Sequence, residues 1–241
     1  MISLDSVKCT YNDKTILQDI NIDINEHITI LGANGSGKST LAKTICNLID
    51  YSGKITIYGK DIKKLSYKDR AKTISYIPTK LEVYDNNISV EEFVLLSRFA
   101  YKKNFMEYVD ADKKIVMQNL EFLNIDHLKK APLGSLSSGE TQLTLIAGAL
   151  SQESKVIIFD EPTANLDPYN SKKIANIIKK LKQNHQIMLI THDLHLASYI
   201  DTPILFIKDK KALYYEDNFF KTKTLKELYG VDFNGLEVQY D

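Results

Sequence analysis

Three short groups of residues in this chain have the types and spacing for phosphate chemistry. The first is Gly32-Ala33-Asn34-Gly35-Ser36-Gly37-Lys38-Ser39, which fits the pattern G-x-x-x-x-G-K-[ST]. It follows an apolar run, His27 to Leu31, and opens a helical pattern, Thr40 to Leu48, the strand-to-helix setting that a phosphate-binding loop needs. Small residues let the loop wrap an anion closely. Its consecutive backbone N–H groups, backed by the positive end of a helix, give fixed donors to a di- or triphosphate. Lys38 is then placed to neutralise the β and γ phosphates, and the Ser39 hydroxyl to hold Mg2+. A chance glycine turn is the plainer account, but with 10 glycines in 241 residues such a match is rare even before its setting is required.

The second group is Asp160-Glu161, which ends the continuous apolar run Val156 to Phe159. Such a run suits a central strand buried on both faces, and open α/β sheets place ligands at the carboxyl ends of their strands. Asp160 is positioned there to support Mg2+ through its waters, and Glu161 to take a proton from an attacking water. The third group, Thr191-His192-Asp193, ends another buried run, Ile187 to Ile190. A strand-end histidine is commonly a turn residue, but here it would end beside the same phosphate site.

The remaining chain must position these groups. Ile2, Leu4 and Val7, then Ile16, Ile20, Ile22 and Ile24, largely alternate on either side of the turn Asn12-Asp13-Lys14, predicting short antiparallel strands ahead of the loop. Tyr11 between them reads either as a half-buried strand residue or as a ring that stacks on adenine. Lys54 to Tyr58 and Thr73 to Pro78 read as strands, with a polar stretch carrying Arg70 between them. Ser89-Val90-Glu91-Glu92 is a capping box, and a second helix follows Asp110 and Asp112 with Val116, Leu120 and Leu123 along one stripe. Helices without intervening strands predict an inserted helical subdomain from about 85 to about 150, flanked by a core made of 1–84 and 151–241. Tyr84, Phe99, Tyr101, Phe105 and Tyr108 crowd this part and read as packing or as a docking surface.

Leu136-Ser137-Ser138-Gly139-Glu140 opens an apolar helix and is also a capping box, which accounts for Ser137 and Glu140 but not for Gly139. A helix start built of Ser137, Ser138 and Gly139 would let an anion approach its N–H groups. Asp167-Pro168 fits an N-cap followed by the first helical position, with Ile174, Ile177, Ile178 and Leu181 as the apolar stripe. After Pro203 come a strand (Ile204 to Ile207), an edge strand (Ala212 to Tyr215) and a tail around Leu225 to Val231.

The composition is that of a soluble globular domain, with 44% apolar and 26% charged residues. Lys+Arg and Asp+Glu both total 31, which gives no electrostatic case for nucleic acid. Arg70 and Arg98 are the only arginines and lie far in sequence from the loop, so an arginine finger from this chain is not expected. Cys9 and Cys46 have neither disulfide nor metal-ligand spacing and read as buried thiols in a reducing compartment. The first residues lack the pattern of a secretory signal, and no apolar run approaches 18 residues.

Taken together, the loop, Leu136 to Glu140, Asp160-Glu161, Asp167 and His192, in this order and spacing, make the chain resemble an ATP-binding cassette (ABC) ATPase over essentially its whole length. The resemblance implies an α/β fold, a P-loop NTPase core that is RecA-like with a mostly parallel sheet, an N-terminal antiparallel β subdomain and an inserted α-helical subdomain. By it, Tyr11 stacks on adenine, and Gly35, Gly37, Lys38, Ser39 and Thr40 bind the phosphates. Asp160 supports Mg2+, Glu161 polarises the attacking water and His192 contacts the γ phosphate.

Ser137 to Gly139 resemble the family signature, which acts in trans: two subunits pair head to tail as a homodimer around two ATP molecules. Asp167 resembles the residue that links the two sites. Two positions depart from the family pattern. Ser138 stands where Gly is usual, and Thr79 where a Gln is usual, and the Thr79 hydroxyl has less reach than a Gln amide toward a metal or a partner. Within the family, the Ser89 to Phe99 helix, the aromatic insertion and the tail Leu228-Tyr229-Gly230-Val231 resemble importers of iron chelates, haem or cobalamin. These are peripheral proteins on the cytoplasmic side of the inner membrane, docked on an integral-membrane permease that an exported solute-binding protein supplies. An importer of metal ions or another solute, and a nucleotide-gated regulatory cassette with little hydrolysis, are the competing expectations.

Overall fold

Alternating isoleucines build the first layer. The structure, a computed structural model, describes residues 1–11, 13–81, 85–102 and 107–232. β1 (Ile2–Tyr11) and β2 (Lys14–Ile24) pair antiparallel, with Ile2 opposite Ile24 and Leu4 opposite Ile22. They are longer than the alternation suggested, because a bulge after Leu4 shifts the inward face from Leu4 to Val7 and lets the strand continue. Asn21 Oδ1 accepts from the Ser6 N–H at 2.7 Å and so serves a backbone group that the bulge leaves without a ladder partner.

β3 (Ile28–Gly32) is buried at every residue and leads into α1 (Lys38–Ile45). This helix begins two residues earlier and ends three residues earlier than the Thr40 to Leu48 pattern: Cys46 caps it and Asn47 turns out at φ 53°. β4 (Ser52–Ile57) joins β1 and also pairs with the short β5 (Lys60–Asp61), giving an antiparallel sheet of order β2-β1-β4-β5. The polar stretch with Arg70 is partly helical. It contains a 3-10 turn (Ile62–Lys64) and α2 (Tyr67–Thr73), which Ser66 caps by accepting from the Asp69 N–H. No residue of α2 is buried, so it carries no apolar periodicity to read.

β6 (Ile74–Ile77) is followed by α3 (Val90–Leu96), which ends in a 3-10 turn (Ser97–Tyr101), and by α4 (Asp110–Phe122) and α5 (Ser138–Ser151). Both capping boxes form as expected at Ser89 and Ser137. Of the five aromatics expected here, Tyr84 and Phe105 lie outside the described residues. Tyr101 packs its ring 3.7 Å from the Arg98 guanidinium. Phe99 remains half exposed against Tyr67, with ring centroids 5.9 Å apart.

Arg98 is 4% exposed, and its guanidinium donates to Asp112 at the start of α4, to the Ser151 carbonyl at the end of α5 and to Glu153. It therefore ties three helical segments together and is spent on structure.

The chain then runs through β7 (Val156–Asp160), α6 (Pro168–Leu181), β8 (Gln186–Ile190), α7 (Leu194–Ile200), β9 (Ile204–Lys208), β10 (Lys211–Tyr215) and α8 (Thr222–Tyr229). The second sheet has the order β10-β9-β3-β8-β7-β6, with parallel pairs throughout except the antiparallel edge β10.

Strand period two divides its faces. Val156, Ile158, Met188 and Ile190 pack toward α1 and the antiparallel sheet, whereas Ile157, Phe159, Ile187 and Leu189 pack toward α3, α4, α5 and α6. The helical segment therefore shares one continuous core with the sheet. The tail contains a helix that the sequence reading left undefined, and its Leu225 seals a small aromatic cluster with Phe206 and Phe219. Among the described residues no helix is long and apolar enough to cross a membrane.

Candidate functional site: a phosphate loop beside two strand-end carboxylates

In the parallel sheet β8 lies between β3 and β7, so the sequence-distant groups end side by side: the loop after β3, His192 after β8 and Asp160-Glu161 at the end of β7. The loop's shape depends on its glycines. A methyl group built at Gly32, where φ is 151°, would lie 2.6 Å from the Ile207 carbonyl oxygen and 2.8 Å from Ser36 Oγ. Gly37 sits at φ 104° immediately before α1, a conformation that a side chain resists, and it offers the first turn of α1 no side-chain cap. The first N–H groups of α1 are left for a ligand.

Two further observations fit an anion here. The Ser36 hydroxyl is buried without a hydrogen-bond partner. The Lys38 ammonium, also buried, donates among the described residues to the neutral Gly32 and Ala33 carbonyls at 2.9 and 3.1 Å. Burial pushes its pKa down, while Glu161 and Asp160 pull it up. A phosphate would give this desolvated cation the charge partner that two carbonyls do not.

Ser39 Oγ donates to Asp160 Oδ1 at 3.0 Å, and the Tyr76 hydroxyl donates to Asp160 Oδ2 at 2.6 Å. Burial, followed by the bond to Asp160, pushes the Tyr76 phenol far up, so it stays a donor. A hydroxyl and a carboxylate oxygen suit a hard divalent cation. Among the described residues no group of three or more His, Cys, Asp or Glu could hold a metal ion, and Mg2+ commonly takes its remaining ligands from phosphate and water. Thr79 is exposed beyond the end of β6. Tyr76, three residues earlier, was invisible to motif reading, because nothing local distinguishes it from an ordinary strand aromatic.

Glu161 holds a left-handed backbone at φ 52°, which costs about 1 to 2 kcal/mol for a residue with a Cβ. Its N–H donates to the Ile190 carbonyl at 2.8 Å, fixing the turn. The conformation aims its carboxylate at β8, where Oε2 accepts from His192 Nδ1 at 2.9 Å and from Thr191 Oγ1 at 3.3 Å. Because a carboxylate can only accept, Nδ1 is the donor in this contact. Thr191 is a second contributor that the sequence reading did not single out.

Tyr11 is 72% exposed and walls a cleft of about 570 Å³ with Ile16, Ser39, Thr40 and Lys43. An exposed ring and an isoleucine lining one cleft, beside the start of α1, are a fitting seat for a purine face. Asn34 and Gly35 are exposed.

The Ser137 turn belongs to the same end of the sheet. At the far end of α5, Gln152 Nε2 donates to the Ile74 carbonyl at the start of β6. The first turn of α5 therefore lies toward the strands' carboxyl ends. There the buried Gly139 touches the start of α6: a methyl group at Gly139 would come within 2.9 Å of Asn170 Cγ and Oδ1. Asn170 in turn donates through its backbone N–H to Asp167 Oδ1 at 3.0 Å, and through its side-chain amide to Asp167 Oδ2. This close approach is the reason for Gly139 that a capping box could not supply. Ser137 and Ser138 remain exposed.

Glu140 Oε2 accepts from the Ser137 hydroxyl at 2.6 Å and from its N–H at 2.8 Å, and these bonds hold its pKa below the ordinary 4.5. A depressed carboxylate stabilises the fold fully above 4.5 and loses that contribution as pH falls through the lowered value. The difference in melting temperature between the wild type and Glu140→Gln is therefore expected to be widest above about pH 5 and to close in stronger acid. A thermal-shift series across pH measures it.

The family model described as ABC transporter matches residues 17–164. This chain is an ABC ATPase. Its relatives include the manganese transport system ATP-binding protein MntB of Bacillus subtilis, 34% identical over 95% of this chain and 92% of that protein. The iron(3+)-hydroxamate import ATP-binding protein FhuC of the same organism is 30% identical over 96% of this chain and 88% of its own length. A solved dimeric cassette in a post-hydrolysis state with ADP and Pi superposes with a TM-score of 0.78 at 25% identity, covering 90% of this chain and 98% of that one. The cassette is thus the ATP-binding, ATP-hydrolysing subunit of a transporter, and its α/β architecture is that of P-loop NTPases.

Proposed function

We propose that two copies of this cassette pair head to tail around two ATP molecules beneath a membrane permease, and that their closure drives uptake of a metal ion or metal chelate. The cargo class rests on the manganese and iron-hydroxamate relatives. Pairing is supported by the dimeric cassette above and by a shortage of charge within one chain. Lys38 and a metal are available to the transition state, but Arg98 is buried among Asp112, Ser151 and Glu153. The observation that carries the reading is the exposure of Ser137 and Ser138 at the start of α5, a helix N-terminus open to a partner's γ phosphate.

In this reading Ser36, Lys38, Ser39 and Thr40 hold the phosphates, and Tyr11 holds the adenine. Ser39 and Asp160 are the residues that would hold Mg2+, which would supply neutralisation of the charge developing on the phosphates. Glu161 takes the proton of the attacking water while His192 fixes its carboxylate, and Asp167 reports across the interface. The permease's coupling segment seats in a groove of about 300 Å³ between β6, α3 and α5, lined by Tyr76, Ile77, Phe93, Leu96 and Gln152. We place the cassette on the cytoplasmic face of the membrane, held there by the permease, which receives its cargo from an exported binding protein.

Co-expression with a cognate metal permease tests the reading. The cassette is expected in detergent-solubilised complex with two copies per transporter, with vanadate- and ATP-sensitive metal uptake in vesicles. Recovery of the cassette apart from the permease, with uptake unaffected by its removal, would refute it.

A further inference from the structure

We propose that Thr191 is a positioning residue that decides which oxygen of Glu161 takes the proton of the attacking water. The inference rests on the reading of Glu161 as that proton acceptor, given above. The end of β8 grips Glu161 through three consecutive residues. The Ile190 carbonyl accepts from the Glu161 N–H at 2.8 Å. Glu161 Oε2 then accepts from Thr191 Oγ1 at 3.3 Å, from the His192 N–H at 3.4 Å and from His192 Nδ1 at 2.9 Å. Among the described residues these donors all fall on Oε2, which leaves Oε1 for the water.

The terminal torsion of a glutamate is broad and twofold, so its two oxygens exchange unless one of them is held. The His192 side chain is exposed, whereas Thr191 is fully buried. The sheet fixes Thr191 in place, because its N–H donates to the Ile30 carbonyl at 3.2 Å. Its hydroxyl accepts from the Asp193 N–H at 3.0 Å, and because a carboxylate only accepts, the hydroxyl's one proton is committed to Glu161. A bound phosphate can draw on the exposed imidazole, but the buried hydroxyl stays with Oε2. In the step so arranged, the water oxygen bonds to the γ phosphorus and the water's proton passes to Oε1. The bond from that phosphorus to the β–γ bridging oxygen breaks, and its electron pair leaves on ADP. Oε1 then releases the proton to solvent, which restores the carboxylate.

The test compares steady-state ATP hydrolysis by variants of the full chain. Thr191→Val keeps the shape and removes the hydroxyl. It is expected to lower kcat by about 10- to 100-fold with KM within about twofold, because the base is misaimed while the phosphate contacts remain. Thr191→Ser puts the donor back and is expected to recover most of that loss. Added to Glu161→Gln, Thr191→Val is expected to change the residual turnover by less than about twofold, because no carboxylate is left to aim.

Valine also leaves the Asp193 N–H, at the start of α7, without its acceptor, so melting temperature is followed alongside. Should Thr191→Val fail to fold, Thr191→Cys carries the comparison: a thiol is a weak donor, and its kcat is expected well below that of Thr191→Ser. An unchanged kcat in Thr191→Val, an equal fall in Thr191→Ser, equal rates in the Cys and Ser variants, or a fall of the same size in the Glu161→Gln background overturns the inference and leaves Glu161 as the acceptor. Turnover in Glu161→Gln equal to that of the wild type overturns both the inference and the reading beneath it.

Discussion

Glu161→Gln is expected to lower ATP turnover by about 10²- to 10⁴-fold while leaving ATP affinity near wild type, because it removes the proton acceptor but no phosphate contact. Glutamine has the shape of the residue it replaces, and its carbonyl can still accept from His192 Nδ1, so the left-handed turn at φ 52° should survive. With hydrolysis blocked, the ATP-bound form accumulates. Light scattering at saturating ATP should then report twice the 27.5 kDa chain mass, and ATP removal should restore the single mass. Equal turnover in mutant and wild type would remove Glu161 from the chemistry. A variant that stays monomeric at high protein concentration would count against a site shared between two copies.

Lys38→Ala should be the other severe change, for a different physical reason. In the free protein the ammonium is desolvated and, among the described residues, donates to the Gly32 and Ala33 carbonyls, so burial works against its charge. Removing it is expected to cost little stability without nucleotide, and the melting temperature should stay close to that of the wild type. With ATP the outcome reverses. The wild type should gain about 3 kcal/mol at a hundredfold excess over Kd, whereas the variant should show almost no shift, because its β and γ phosphates lack their fixed cation. Turnover should fall by at least about 10³-fold. A large ATP-induced shift in Lys38→Ala would mean that the loop's N–H groups and Ser36 suffice to bind the phosphates.

Other changes should be graded by what each side chain touches. Arg98, although remote from ATP, is bonded at three points where α3, α4 and α5 meet, and its loss would leave Asp112 buried and unpaired. Its phenotype should therefore be instability rather than altered catalysis.

The amino-acid sequence by itself determined what is encoded within a few neighbouring residues. The loop Gly32 to Ser39 announces both its turn and its ligand class, since glycine spacing, lysine and serine must all lie on one short stretch to act together. The capping boxes at Ser89 and Ser137, the Asp167-Pro168 helix start and the buried runs ahead of Asp160 and His192 were legible for the same reason. Their hydrogen bonds and periodicities close within one turn or one strand. Less was legible where a helix is short or buries little, as in α2, α7 and α8.

The tertiary structure alone decided which distant side chains meet. Tyr76 reaches Asp160 across 84 positions, and Ser39 reaches it across 121, because β6, β7, β8 and β3 lie in that order in one sheet. Strand order is settled by how whole faces bury their isoleucines and valines, a property of the assembled core rather than of any window of sequence. Gly139 gives the clearest instance: its neighbours in the chain explain a helix start, but its lack of a side chain is explained only by Asn170 pressing against it from another helix.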